Sequence, residues 1–190
     1  MTRNFLLACL ALAFAAPCAT AENQVWTTLT LKKKPEAAPR YEFELNTEMR
    51  YQPDGYLDTI ELRPGITYKL DNGMKLSGGY LYGVNRRDGP DRHEHRLWQQ
   101  LAYDLTKIGG GNISGKSKVE ERWREGADGT GWRLRQTVSY DRPIGETGLT
   151  LSLSDEATIG LNSTDWGHAE GLQENRAKAV VKWKTGKAGW

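Results

Sequence analysis

The sequence contains very little cysteine, and both cysteines lie close to its start. Cys9 and Cys18 are the two thiols among 190 residues, and they fall in a stretch typical of a secretion signal: a basic start, the apolar run FLLACLALAFAA and a small-x-small tripeptide ending at Ala21. We expect a signal peptide over 1–21, cleaved after Ala21, and an exported domain over 22–190. That domain would have no cysteine, which excludes a fold held together by disulfides.

The chain also lacks an excess of charge of one sign. It has 26 Lys and Arg against 24 Asp and Glu, so its formal net charge is +2. Removal of Arg3 with the signal peptide would bring that value still closer to zero. This balance gives no general attraction to a polyanion, and we predict no nucleic-acid partner.

Helical periodicity is nearly absent, and alternation of apolar and polar residues with period two takes its place. Clusters of Gly, Pro, Asn and Asp interrupt the alternation at short intervals, which is typical of antiparallel strands joined by hairpins. We predict an all-β fold with nine strands, over residues 24–32, 41–51, 56–70, 74–84, 96–105, 112–123, 132–140, 149–162 and 174–184.

The second of these strands, YEFELNTEMRY, indicates which environment its apolar face meets. Tyr41 and Tyr51 share that face and lie ten residues apart, which corresponds to about 24 Å along the normal for a tilted strand. This matches the apolar band of an outer-membrane barrel, which aromatic residues border on both sides. The predicted aromatic girdle consists of Tyr41, Tyr51, Trp123, Trp132, Tyr140 and Trp183.

These features predict an up-and-down transmembrane β-barrel in the bacterial outer membrane. Its partners would be outer-membrane lipid and, during insertion, the barrel-assembly machinery. A soluble periplasmic or secreted β-domain is the alternative, because alternation alone does not say whether the apolar face points inward. Two residues depart from the pattern: Trp98 lies on the polar side of its strand, and Glu121 lies on the apolar side of its own.

The polar faces predict a charged lumen. An acidic wall would face a basic one, lined by Glu42, Glu44, Glu48, Lys116, Lys118, Arg122, Arg133, Arg135, Arg176, Lys178 and Lys182, with Lys184 in the same series. The charges would pair and fill a narrow barrel with a structural or binding role. The alternative is a passive channel for small anionic solutes, because a basic lining favours anions.

Several segments together resemble a known family. They are QVWTTLTL at 24–31, LRPGITYKL at 62–70, GGYLYGVN at 78–85, HRLWQQL at 95–101, KVEERW at 118–123, SDEATIGLN at 154–162 and ENRAKAVVKWK at 174–184. This set resembles the uncharacterised bacterial domain family numbered 2490, whose members are predicted outer-membrane β-barrels. The resemblance implies a fold and a location, and it implies no activity or functional residue.

The C-terminal end differs from that expectation. Such barrels end on an amphipathic strand with a terminal Phe or Trp, whereas the residues that alternate before Trp190 include Gly186 and Lys184. Nine strands is also an odd number, and bacterial single-chain barrels have even counts. We therefore expect a complete barrel of about ten to twelve strands, with one to three C-terminal strands missing here.

No catalytic, metal or cofactor site is predicted. His93-Glu94-His95 is expected in a solvated loop over 85–95, and Gly109–Asn112 in a turn. An outer-membrane lipid hydrolase remains as an alternative, with Ser139, Ser152 or Ser154 acting with His168. The longer links, at 85–95, 125–131 and 163–173, are expected to face outward and the tighter turns inward.

Overall fold

The structure, a computed structural model, describes residues 25–86 and 89–183. The predicted signal peptide, Lys184 and the end of the chain lie outside these residues. No helix capable of spanning a membrane occurs in the described part of the chain. Its nine strands are β1 (Val25–Lys33), β2 (Tyr41–Tyr51), β3 (Leu57–Lys69), β4 (Lys75–Asn85), β5 (Arg92–Ile108), β6 (Gly111–Arg124), β7 (Gly131–Pro143), β8 (Leu149–Gly160) and β9 (Gly171–Trp183).

Each strand pairs antiparallel with the next, so the strands form one sheet in the order β1 to β9. This confirms the predicted all-β, up-and-down antiparallel fold. The sheet is curled into a half-barrel, and within the described residues β1 and β9 do not pair to close it. The curl still brings its two edges near each other, because the Arg176 guanidinium of β9 lies 5.8 Å from the ring centroid of Trp26 on β1.

The two ends of the sheet carry different links. The links after β2, β4, β6 and β8 lie at one end, which we call the long-loop end. The last of these links covers residues 161–170. The opposite, short-turn end has a link of only two residues between β5 and β6. Both of its residues have positive φ, 57° at Gly109 and 78° at Gly110, the conformation that a two-residue hairpin needs and that glycine adopts without strain.

The polar side chains occupy the concave face of the sheet, and the apolar ones occupy the convex face. In β2, Glu42 and Glu44 are partly buried, while Phe43 and Leu45, which alternate with them, are exposed. Leu81 is the one buried hydrophobic residue recorded in the described ranges, at 1% exposure. The interior of the half-barrel is therefore polar, the reverse of a soluble β-sandwich, in which apolar faces form the core.

Strand β5 is longer than the sequence predicts. It begins at Arg92, so the histidines expected in a solvated loop belong to the strand. The bounds of the predicted loop, 85–95, are therefore wrong, because Asn85 belongs to β4 and residues 92–95 belong to β5. Two tyrosines of β4 explain the extension. Tyr82 Oη lies 2.6 Å from His93 Nδ1, and Tyr80 Oη is hydrogen-bonded to His95 Nδ1, so pairing of β5 with β4 gives each histidine a tyrosine partner.

Trp98 faces the concave side because two glycines leave space for its ring. A Cβ added at Gly65 would come within 2.8 Å of Trp98 Cζ2, and one at Gly79 within 2.7 Å of the same atom. The indole thus lies against Gly65 of β3 and Gly79 of β4, where a side chain on either residue would overlap it. The departure from the alternation pattern is compensated by glycine on the neighbouring strands.

We predict that Gly65→Ala destabilises the fold by about 1–3 kcal/mol, because the new methyl group overlaps the indole. The midpoint of equilibrium unfolding in urea measures this. Gly78→Ala is the matched control, because its Cβ would meet only the Trp98 carbonyl oxygen, at 3.4 Å. In a Trp98→Leu background the same Gly65→Ala change should cost much less. An equal cost in both backgrounds would show that the indole contact is not the cause.

Candidate functional site

The structure places the predicted lumen residues on the concave face. The series comprises Glu42, Glu44 and Glu48 of β2, Lys116, Lys118 and Arg122 of β6, Arg133 and Arg135 of β7, and Arg176, Lys178 and Lys182 of β9. The expected pairing of one acidic wall with one basic wall is wrong. The carboxylates of β2 bind cations on β1 and β2 instead: Glu44 contacts Lys32 at 2.7 Å, and Glu48 contacts Arg50 at 2.7 Å.

Three other glutamates neutralise the basic strands. The first is Glu120 on β6, which is 2% exposed. Its carboxylate accepts a hydrogen bond from Arg133 Nε at 2.6 Å, and Lys118 Nζ and Arg135 Nε lie 2.9 and 3.4 Å from its oxygens. Three cations from two strands therefore converge on one carboxylate.

The other two glutamates share Arg96 of β5. Glu94 Oε1 accepts from Arg96 Nε and from Arg122 Nε, both at 2.6 Å, while its second oxygen accepts from Arg122 Nη2 at 3.0 Å. Arg96 Nη2 also lies 3.5 Å from Glu61 of β3, across the width of β4. Together these ion pairs form a group that we call the ion-pair layer. It consists of Glu61, Glu94, Glu120, Arg96, Lys118, Arg122, Arg133 and Arg135.

Sequence reasoning missed the acidic half of this layer. Glu61, Glu94 and Glu120 all lie on the polar positions of their strands, so the alternation that identified the basic residues also identifies them. Their specific partners could not be read from the sequence, because contacts across β4 depend on the curl of the sheet.

The link 161–170 folds over the long-loop end and is held by specific hydrogen bonds. Trp166 Nε1 donates to the Gly129 carbonyl at 3.2 Å, and Arg124 donates to the Trp166 carbonyl at 3.0 Å. His168 is 3% exposed, with Nε2 2.9 Å from the Trp132 carbonyl. Since that nitrogen must donate, Nδ1 is the acceptor for Arg122, 3.3 Å away.

A cavity of about 410 Å³ lies on the concave face between the ion-pair layer and the short-turn end. We call it the basic cavity. Seven of its lining residues are basic, five carry a hydroxyl group and two are acidic, so positive charge is in excess. Lys116, Lys178 and Lys182 belong to this lining, together with Lys118 and Arg135 at its border with the ion-pair layer.

The predicted girdle residues lie on the convex face, three at each end of the sheet. Tyr51, Trp123 and Trp132 lie at the long-loop end, and Tyr41, Tyr140 and Trp183 at the short-turn end. Tyr68, which the sequence analysis did not select, lies beside Tyr41 with ring centroids 4.9 Å apart. The convex face thus has an aromatic border above and below its apolar strip.

The serine and histidine residues considered for hydrolysis are not brought together. Ser139, Ser152 and Ser154 line the basic cavity near the short-turn end, whereas His168 contacts the carbonyl of Trp132, at the other end of β7. Seven residues of extended strand separate Ser139 from Trp132, about 23 Å. Within the described ranges, acidic, histidine and cysteine side chains form no group of three that could hold a metal ion.

We predict that Glu120→Gln lowers the free energy of unfolding by about 3–5 kcal/mol, because it leaves three cations without their shared carboxylate. Asp71→Asn is the control. It removes an exposed carboxylate that pairs with Arg40, a contact expected to contribute at most about 1 kcal/mol. Urea midpoints of the two variants measure the difference, and equal midpoints would contradict a stabilising role for the ion-pair layer.

We also predict that the long-loop end loses stability in mild acid. Burial, with Arg122 and Arg133 nearby, lowers the pKa of His168 below its ordinary value of 6.5. The unfolded chain therefore binds a proton that the folded chain resists, so the stabilisation is complete above pH 6.5 and declines as the pH falls below it. Protonation would place a proton on Nδ1, facing Arg122.

The urea midpoint at pH 7.5 and 5.5, for the natural protein and for His168→Gln, measures this effect. The variant should lose less stability between the two values, because glutamine does not titrate. An identical loss in both proteins would assign the acid sensitivity to other groups.

Comparison with known proteins gives a family and no activity. The family model described as a protein of unknown function (DUF2490) matches residues 23–188. An uncharacterized protein of Methylorubrum extorquens is 30% identical over 125 residues, which cover 64% of this chain and 54% of the relative. The chain thus spans about half the length of that curated relative. No solved structure matches this chain.

The family model matches nearly the whole length of the chain, which confirms the resemblance seen in the sequence. The chain belongs to the DUF2490 family of proteins of unknown function.

Proposed function

We propose that this protein is an outer-membrane β-barrel with a structural or binding role, and that ion pairs fill the middle of its lumen. The observation that carries the proposal is the exposed apolar convex face. Phe43 is 48% exposed, and leucines, isoleucines and valines of neighbouring strands are exposed beside it. Contact with hydrocarbon would remove this surface from water at a gain of about 25 cal/mol per Å².

The aromatic residues support the same location. Tyrosine and tryptophan at both borders of an apolar strip are typical of barrels that lie between two membrane–water interfaces.

Some polar side chains also lie at mid-strand on the convex face, and they form hydrogen bonds with one another. Ser117 Oγ donates to Gln136 Oε1 at 2.7 Å, and Gln136 Nε2 donates to Tyr103 Oη at 3.1 Å.

The ion-pair layer favours a filled lumen over an open pore. Glu120 and Arg133 are buried, and Glu61 is 4% exposed, so little space remains along β3 and β5–β7 for water or solute. The passive anion channel remains the second candidate because the basic cavity has a surplus of positive charge. Channel activity would require a path past the ion-pair layer, so a measurable single-channel current would favour it.

One observation favours the alternative of a soluble periplasmic β-domain. Asp155 of β8 lies opposite Val138 and Ala177 on the convex face, and its Oδ1 has no hydrogen-bond partner among the described residues. A carboxylate there would be costly in hydrocarbon. Fractionation of the exported protein between the periplasm and the membrane separates the two candidates.

We predict that Leu45→Arg reduces folding into phospholipid vesicles, at a cost of about 2–4 kcal/mol, because Leu45 lies near the middle of β2 and of the apolar strip. Leu76→Arg is the matched control. Leu76 is also an exposed leucine of the convex face, but it lies at the short-turn end of β4, where arginine is expected to cost about 0–1 kcal/mol. Heat-modifiable migration on gels measures the folded fraction.

The outcome for a soluble domain is different. An exposed leucine replaced by arginine in water should change stability by less than about 0.5 kcal/mol. Equal behaviour of the two variants, with the protein in the soluble fraction, would overturn the proposed location.

A further inference from the structure

We propose that the basic cavity binds a small soluble phosphate monoester that enters from the short-turn end. This inference rests on the proposed function in one respect, the role as a non-catalytic binding barrel. It adds the chemical class of the ligand and the residues that bind it.

The basic residues of the cavity differ in whether a carboxylate neutralises them. Lys118 and Arg135 belong to the ion-pair layer, and Lys182 Nζ binds Asp141 at 2.8 Å. Lys116 and Lys178 differ from these, since no carboxylate of residues 25–86 and 89–183 lies within 4 Å of either ammonium group. Two cations therefore line the cavity without an ion-pair partner, and a bound anion would supply one.

The register of the strands places hydroxyl groups between Lys116 and Lys178. Lys116 of β6 is opposite Thr137 of β7, which is opposite Glu156 of β8. A second row of cross-strand neighbours lies closer to the short-turn end. It consists of Ser114, Ser139, Ser154 and Lys178. The hydroxyl groups thus lie between the two lysines, on a sheet whose curl turns the side chains of β6 and β9 toward each other.

This combination of donors fits a phosphate group. Ammonium groups supply charge-assisted hydrogen bonds, and serine hydroxyls donate to the remaining oxygens, as phosphate with its several acceptors requires. A volume of about 410 Å³ is in the ordinary range for small-molecule sites, and it leaves room for a hydroxylated body beside the phosphate. Gln100 and Ser152, also in the lining, can donate to and accept from such a body.

The position of the ion-pair layer makes the cavity a closed-ended site. The layer lies between the cavity and the long-loop end along β5, β6 and β7. A solute that enters from the short-turn end would therefore be held rather than conducted through. This distinguishes the inference from a passive anion channel.

Isothermal titration of the purified, folded full-length protein with glycerol 3-phosphate tests the proposal. Inorganic phosphate, glycerol and vesicles containing phosphatidic acid are titrated in parallel. We expect glycerol 3-phosphate to bind, glycerol not to bind, and the affinity to fall as salt is added. The double variant Lys116→Gln/Lys178→Gln should weaken binding on the order of ten- to a hundredfold.

The matched control is Lys69→Gln/Lys75→Gln, which removes two exposed lysines that pair across β3 and β4, away from the cavity. It should leave the affinity unchanged. Equal loss in both double variants, binding weaker than about 1 mM, or binding only of phosphatidic acid would each overturn the proposal. Unaltered urea midpoints would show that the variants are folded.

The same preparations separate this inference from the proposed function. A protein that folds into vesicles but binds no phosphate monoester refutes the ligand and leaves the barrel intact. A water-soluble protein that binds glycerol 3-phosphate through Lys116 and Lys178 refutes the location and supports the site.

Discussion

Two carboxylates almost completely removed from water, those of Glu61 and Glu120, impose the strongest constraint on this fold. A buried carboxylate remains charged only where cations compensate for the loss of hydration. The compensating groups come from β2, β3, β5, β6 and β7, so these strands must hold one register against one another. A slip of one residue would transfer every charged side chain to the convex face and every apolar one to the interior.

This constraint explains why an interior without a conventional apolar core can still be specific. Directed hydrogen bonds between guanidinium and carboxylate groups fix position as well as charge, particularly the two-point contact of Arg122 with Glu94. Trp98 adds shape to the same region, because its ring fits over Gly65 and Gly79. The apolar residues therefore lie on the convex face, where they are exposed to whatever surrounds the protein.

The sequence predicts the fold class, the number of strands within the described residues and the face on which each side chain lies, because period-two alternation is a local property. It predicts β5 poorly. The polar residues His93 and His95 are typical of a loop, but in the structure they pair with β4 and contact Tyr82 and Tyr80 on that strand. The partners of the lumen charges were also mispredicted, because they depend on register and curl, which no single strand contains.

The two ends of the concave face differ in chemistry, and that asymmetry was not evident from composition. Near the long-loop end, Glu94, Arg122 and His168 form a continuous hydrogen-bonded group. Near the short-turn end, Lys116 and Lys178 have hydroxyl-bearing cross-strand neighbours, Thr137 and Ser154, and no carboxylate of the described residues within 4 Å. The proposal that one half maintains structure and the other binds a ligand rests on this difference.

Oxygen and water accessibility along β2 tests the central claim most directly. The two cysteines of the sequence precede Ala21, so single cysteines placed at successive positions 42–50 of the leaderless protein can be spin-labelled in vesicles without interference. Collision rates with oxygen should alternate with period two, highest at Phe43, Leu45 and Met49, while a water-soluble nickel reagent should be excluded there. High nickel accessibility at those three positions would show that they meet water rather than hydrocarbon, and would contradict the account.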